Sequence, residues 1–368
     1  MRTAITKLVN DCGESRLATT LVTKVRFSQS CMLELVAWRP SYRWILGAIF
    51  ACLLNSFSTT LEAQPGKTEK GRWQEMFRVD EEHGEMLYEP GPLVVGRRNV
   101  VVYDQGAGHL VAFTLDGKKS WTFGRKGGGP GEFGNVLDLA IDKDGSILIL
   151  DSGNSRITVV SETGKYIRAI TIKKPLERLV TTANGLILAS PPNGERLMRV
   201  SSTGDVVEYA SYQTEVPEAK SVNADKYLLL NRSQQVIVVY RWATRFLKVT
   251  TGGKGPGIVS GNLLDPQPFP EMVRYKMDQY MVERVDPKAQ SVVGYAATVG
   301  DTLFVVDRRR KGSAARFDAY DTGRMQYVFS RPMLESLRAF GFSGNLLFGV
   351  VEEPLPALVA WRWVADGK

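Results

Sequence analysis

Histidine and cysteine are the scarce residues of this chain, with two and three copies among 368 residues. His83 and His109 are too few for a three-histidine zinc site, and a Ser-His-Asp triad would have to use one of them. No Gly-x-Ser-x-Gly elbow occurs; Gly341-Phe342-Ser343-Gly344-Asn345 fails at its last position. All the cysteines (Cys12, Cys31, Cys52) precede residue 53, so the body has no disulfide framework, thiolate metal site or cysteine nucleophile. A thiol-free body is compatible with an oxidising compartment. Dense basic stripes are missing as well. The net charge is +8, of which residues 1–63 supply +3, and the +5 left on the body suits anionic partners while excluding a nucleic-acid binder. With 43% hydrophobic and 23% charged residues, disorder is excluded too.

No long apolar run occurs either. Trp44–Leu54 is an uncharged apolar stretch of eleven residues, too short to span a bilayer comfortably. Arg39 and Arg43 precede it and a small-residue exit at Ala63 follows, which is the layout of a secretory signal peptide. Residues 1–63 therefore read as an N-terminal extension plus signal, with translation expected to start at Met32. Export to the periplasm or the extracellular space is the expectation, with no transmembrane span in the mature chain. Ile49-Phe50-Ala51-Cys52 fits a lipoprotein site poorly, because Phe50 is out of pattern.

What is present is a repeat. Past residue 70 the apolar period is two. Asn99–Asp104, Ser146–Asp151, Gly185–Ser190, Lys226–Asn231, Thr302–Asp307 and Leu347–Glu352 align as one recurring strand closed by a small or acidic polar residue. Their ends are 47, 39, 41, 76 and 45 residues apart. A period near forty with short strands is the signature of propeller blades. Six units are visible, and the long gap is one blade plus an insertion at about 251–292. The sixth unit runs out before its outer strand, whereas Trp73–Val79 reads as a strand without a blade. The expected fold is an all-β, six-bladed propeller of four-stranded blades over residues 72–368, closed by that N-terminal strand. Within the insertion, Val273, Met277, Tyr280, Met281 and Arg284 fall at helical spacing, so a short helix is expected between blades 4 and 5.

Three segments carry a family likeness: Phe123-Gly124-Arg125-Lys126-Gly127-Gly128-Gly129-Pro130-Gly131-Glu132-Phe133, Leu139–Gly145, and Leu150-Asp151-Ser152-Gly153-Asn154-Ser155-Arg156-Ile157. Together they closely resemble an NHL repeat over about one blade. The resemblance implies a six-bladed bacterial propeller of a kind that mostly serves as an interaction or ligand platform, although relatives by fold include lactonases, lyases and hydrolases.

In four-stranded antiparallel blades, the second-to-third-strand turns share a face with the crossovers between blades. Asp104, Asp151, Ser190, Asn231, Asp307 and Glu352 are therefore expected to ring one face. Arg308 to Lys311 add positive charge beside Asp307, and His109 enters its strand from the same side. The candidate ligand-binding residues are Asp104, Asp151, Asn231, Asp307, Arg308, Glu352 and His109. If a divalent cation such as Ca or Mg binds, Asp104, Asp307 and Glu352 are its expected oxygen ligands. The expected function is a non-enzymatic binding module for a small polar or anionic ligand or a protein partner. The alternative is a metal-dependent hydrolase or lyase, lactonase-like, at the channel mouth. Asp and Asn also close turns on their own backbone, so each ring position has a purely structural reading. The same holds for Gly127–Gly131, which lacks the Gly-Lys-Ser/Thr of a P-loop and reads as a tight crossover.

Overall fold

Runs such as Ile147-Leu148-Ile149-Leu150 are apolar on both faces, which suits a strand sandwiched between two sheets and not one that meets water. The computed structural model describes residues 67–366 apart from 192–195, 212–225, 251–256, 266–269, 271, 278–279, 287, 311–314 and 353. The export segment and the Met32 start lie outside the described residues.

Strand β1 spans Gly71–Val79, and blade 1 follows as β2 (Pro90–Val95), β3 (Asn99–Asp104), β4 (His109–Thr114) and β5 (Lys119–Phe123). Two short parallel pieces, β6 (Arg125–Lys126) and β7 (Glu132–Phe133), lead into blade 2. That blade is β8 (Val136–Ile141), β9 (Ile147–Asp151), β10 (Arg156–Val160) and β11 (Tyr166–Thr171). Blade 3 is β12 (Arg178–Thr181), β13 (Ile187–Ser190), β14 (Arg196–Val200) and β15 (Val206–Ser211). Blade 4 is β16 (Lys226–Leu230), β17 (Val236–Tyr240), β18 (Arg245–Thr250) and β19 (Gly257–Asn262). A hairpin, β20 (Met272–Met277) and β21 (Tyr280–Val285), precedes blade 5: β22 (Val293–Val299), β23 (Thr302–Asp307), β24 (Arg316–Asp321) and β25 (Gln326–Pro332). Blade 6 holds β26 (Leu337–Ser343), β27 (Leu346–Val351) and β28 (Ala357–Ala365), and β1 pairs antiparallel with β28 as its outer strand. The described residues thus form a six-bladed propeller of four-stranded sheets and contain no helix.

The first strand of each blade is innermost. β2, β8, β12, β16, β22 and β26 each touch the next, and β26 returns to β2. Blades pack face to face through their middle strands. Leu148, Leu150 and Ile157 of blade 2 meet Leu179, Ala189 and Val200 of blade 3, while Ile147, Ile149 and Val160 turn to Val101, Tyr103 and Leu110 of blade 1. That two-sided burial explains the unbroken apolar runs. Ile149 and Leu150 have no exposed surface, so truncating either to Ala should cost about 2–5 kcal/mol. Outer strands face water instead, as in β11, where five of six residues are exposed.

Two expectations are corrected. The insertion does not form a helix: Met272–Met277 and Tyr280–Val285 pair as antiparallel strands. In the first half Val273 and Met277, which match a helical period, also alternate with Tyr275 between them, and Val and Tyr favour the pleated form. In blade 4, Lys226–Asn231 is not the counterpart of Asn99–Asp104. It is the innermost strand and its end, whereas the true counterpart is β17, which ends in Tyr240 instead of an acidic residue.

Candidate functional site

Strands two and three of each blade turn on the face where the crossovers also run, and this crossover face holds most of the candidate residues. Asp104 sits there with 1% of its surface exposed. Its carboxylate accepts the backbone N–H groups of Tyr88 (2.8 Å), Glu89 (2.9 Å) and Ala107 (3.2 Å). Asp151, wholly buried, accepts those of Gly134 (3.1 Å), Asn135 (3.0 Å) and Asn154 (3.3 Å), plus the Asn154 side-chain amide (2.7 Å). Each carboxylate staples a turn to the incoming crossover, so its lone pairs are engaged by the chain itself. His109, half-buried, pairs opposite Asp104 in the β3–β4 ladder.

Asp307 behaves differently. Arg309 donates to it through Nε (2.8 Å), Nη2 (2.6 Å) and its backbone N–H (2.9 Å), and Arg310 adds a longer contact (3.4 Å). Burial alone would raise this carboxyl, but the bonds from Arg309 and the charge of Arg310 outweigh it and hold it below the ordinary value. Glu352 is exposed and bonded to Arg338, which also reaches Gln105 (3.2 Å). Asn231 lies on the opposite face. There it bonds the Thr322 hydroxyl (3.3 Å) and accepts from the Gln235 N–H (2.9 Å), a consequence of the blade 4 register.

The residues of the expected cation trio are not brought together among the described residues. Asp104 is saturated by backbone, Asp307 by arginines and Glu352 by Arg338, and among the described residues no three His, Cys, Asp or Glu side chains converge. The glycine crossover is likewise occupied by its own chain. The Glu132 carboxylate takes the Gly129 N–H (2.8 Å), and Arg156 holds the carbonyls of Gly129 (2.7 Å) and Glu132 (2.6 Å).

What the face does form is a cavity of about 680 Å³ at blades 4, 5 and 6. Arg241 and Trp242 line it from the end of β17, Arg308 and Arg310 from the turn after β23, and Tyr295 from the innermost strand β22. A β-bulge sets this geometry: β22 carries an extra residue between Val293 and Tyr295, and β26 another between Leu337 and Ala339. Bulges re-aim side chains. Here Gly294 is the extra residue of β22, and a methyl group on it would lie 2.8 Å from the Arg308 stem. Glycine at this bulge thus lets Arg308 fold over the strand beside Tyr295. Burial pushes the Tyr295 phenol above its usual range, while Arg308, Arg241 and Arg338 pull it back, which places all three cations within electrostatic reach of one hydroxyl. Arg308 is exposed and forms no ion pair among the described residues.

The inner strands continue this polar belt. The Tyr295 ring is 6.3 Å from that of Tyr227 on β16, and the Arg178 guanidinium of β12 lies 5.6 Å from the Tyr227 centroid. Arg178 also reaches the Leu137 carbonyl (3.4 Å), and the next residue, Asp138, accepts the Leu179 N–H (2.8 Å). Burial raises the Asp138 carboxyl to about 6, against the opposing pull of Arg178. Of this set, sequence reasoning singled out Asp307, Arg308 and, within the basic run that follows, Arg310. Arg178, Tyr227, Tyr295 and Arg338 stand near the starts of innermost strands, and at Tyr295 and Arg338 a bulge, which no periodicity reveals, re-aims the chain.

A family profile described as a 6-bladed beta-propeller matches residues 90–180. No curated protein matches the sequence. Among solved structures, virginiamycin B lyase from Staphylococcus aureus is similar with a TM-score of 0.52 and 15% identity, covering 80% of this chain and 100% of its own. A protein of Bacteroides fragilis assigned as exported is similar with a TM-score of 0.54 and 10% identity, covering 82% and 98%. At these identities the likeness is one of fold.

Proposed function

We propose that this propeller is an exported bacterial binding module, related in kind to NHL-type ligand platforms, that takes a small anionic ligand at the mouth between blades 4, 5 and 6. The observation that carries the reading is Arg308, an exposed guanidinium without an ion-pair partner among the described residues. It overhangs a 680 Å³ cavity that Arg241 and Arg310 also line. Guanidinium groups offer forked donors to carboxylate and phosphate, and the aromatic wall of Tyr295 and Trp242 gives such a ligand a face to lie on. Export is supported by the Arg39–Ala63 signal layout. The metal-dependent hydrolase or lyase reading has less behind it, because its three expected oxygen ligands are engaged elsewhere.

Calorimetric titration tests the reading with acetate, inorganic phosphate and a neutral sugar. An anion is expected to bind and the sugar not, and Arg308→Ala should weaken the anion at least tenfold at unchanged melting temperature. Equal affinity for the neutral sugar, or an Arg308→Ala variant that binds as the parent does, would overturn it.

A further inference from the structure

The cavity has two unlike walls. Blades 4 and 5 line it with Arg241, Arg308 and Arg310, but Met333 and Leu334 of the crossover from blade 5 to blade 6 and Leu337 at the start of β26 line it too, together with Ser336 and with Glu335, whose carboxylate is bonded to Arg78. Leu334 is 60% exposed, a high value for a large apolar side chain. Beneath that crossover, a narrow crevice runs on between Trp73, Phe317 and Leu347, and it shares Met333, Leu334 and Leu337 with the cavity. The cationic half and the apolar half are therefore continuous, and a ligand held at Arg308 has an uncovered apolar surface within its reach.

From this we infer that the site takes an amphiphilic anion, a carboxylate or phosphate head joined to an alkyl or similar apolar group, with the head at Arg308 and Arg241 and the tail over Met333 and Leu334. The inference rests on the anion-binding reading and adds the substrate class to it. Its energetic logic is that the head fixes orientation through charge-assisted bonds, while each methylene laid on Leu334 leaves water.

The test is a homologous series of straight-chain carboxylates from acetate to octanoate, titrated below their micelle concentrations at pH 7.4, with alkylammonium ions of matching length as controls. Affinity should rise about twofold to fourfold per methylene, the upper value being the fold-change for about 0.8 kcal/mol per fully buried CH₂. Leu334→Asn should flatten that slope and leave acetate unchanged, and because Leu334 is exposed the substitution should not disturb folding. A flat series in the parent protein, with acetate still lost on Arg308→Ala, would overturn the inference and leave anion binding intact. Alkylammonium ions binding as well as the carboxylates, or no carboxylate binding at all, would overturn both.

Discussion

Asp151 offers the sharpest separation between a stapling role and a ligand-binding one. In the folded protein its carboxylate accepts four hydrogen bonds, three from backbone N–H groups and one from the Asn154 amide, and it has no exposed surface. Hydrogen bonds to a charged acceptor are worth about 1.5–3 kcal/mol each, so a simple sum for Asp151→Ala would be about 6–12 kcal/mol. That sum is too large, because Gly134 and Asn135 are exposed and their freed N–H groups can turn to water. The Asn154 contacts, the ion pair with the largely buried Arg156 (3.8 Å) and the buried cavity retain their penalty, which brings the expectation to about 3–4 kcal/mol. Asp151→Asn keeps one acceptor oxygen and should cost about 1–2 kcal/mol. Urea unfolding followed by tryptophan fluorescence reads both as shifts in midpoint at constant slope. Anion affinity, measured on the folded protein, should not move. An Asp151→Ala variant destabilised by less than about 1 kcal/mol, yet unable to bind, would refute the stapling assignment and restore Asp151 to the site.

Asp307→Asn should have the reverse profile: anion affinity up about threefold to tenfold, as the carboxylate that occupies Arg309 and Arg310 loses its charge, with a stability cost of only about 1 kcal/mol for partly exposed arginines. Calorimetry and urea unfolding together check it, and weaker binding would contradict it. Asn231→Ala should lower stability by about 1–3 kcal/mol through its buried bonds and leave binding untouched, since Asn231 lies on the opposite face. Asp138 fixes a pH dependence. Its carboxyl stands at about 6 when folded against an ordinary 3.8, so between those values the native state holds more protons than the unfolded one. Stability should therefore fall as pH rises from about 4 to 6, by at most about 3 kcal/mol, and Asp138→Asn should flatten that slope in unfolding curves taken across the window.

The blades were legible because each middle strand is buried on both sides, and such a strand must be apolar at every position. Val100 to Tyr103 and Ile147 to Leu150 advertise this directly, and turn pairs such as Asp116-Gly117 and Thr163-Gly164 mark the hairpins. Blade 4 misleads for the same reason. Tyr227-Leu228-Leu229-Leu230 has the look of a middle strand although it is innermost, and Val236–Tyr240 lacks the closing acid that the other blades train the eye to expect.

The mouth was harder for a different physical reason. Aspartate at the end of a strand signals a turn that needs its N–H groups capped, and Asp104 and Asp151 do that work. A residue whose lone pairs are spent on its own chain has little left for a ligand. The groups that line the mouth come instead from the turns after β17 and β23 and from the bulged innermost strand β22. Tyr295 and Arg338 each stand at a point where one extra residue shifts the pleat, and Arg308 passes over the glycine that makes the shift tolerable. Period-two reading assumes an unbroken pleat, so it fails at these two places, and it does not place Arg241, Arg308 and Arg310, which line the mouth from the turns after β17 and β23. Filling the bulge is then the direct trial of that reasoning. Gly294→Val should displace Arg308 and weaken anion binding at least as much as Arg308→Ala does, although Gly294 itself donates nothing to a ligand.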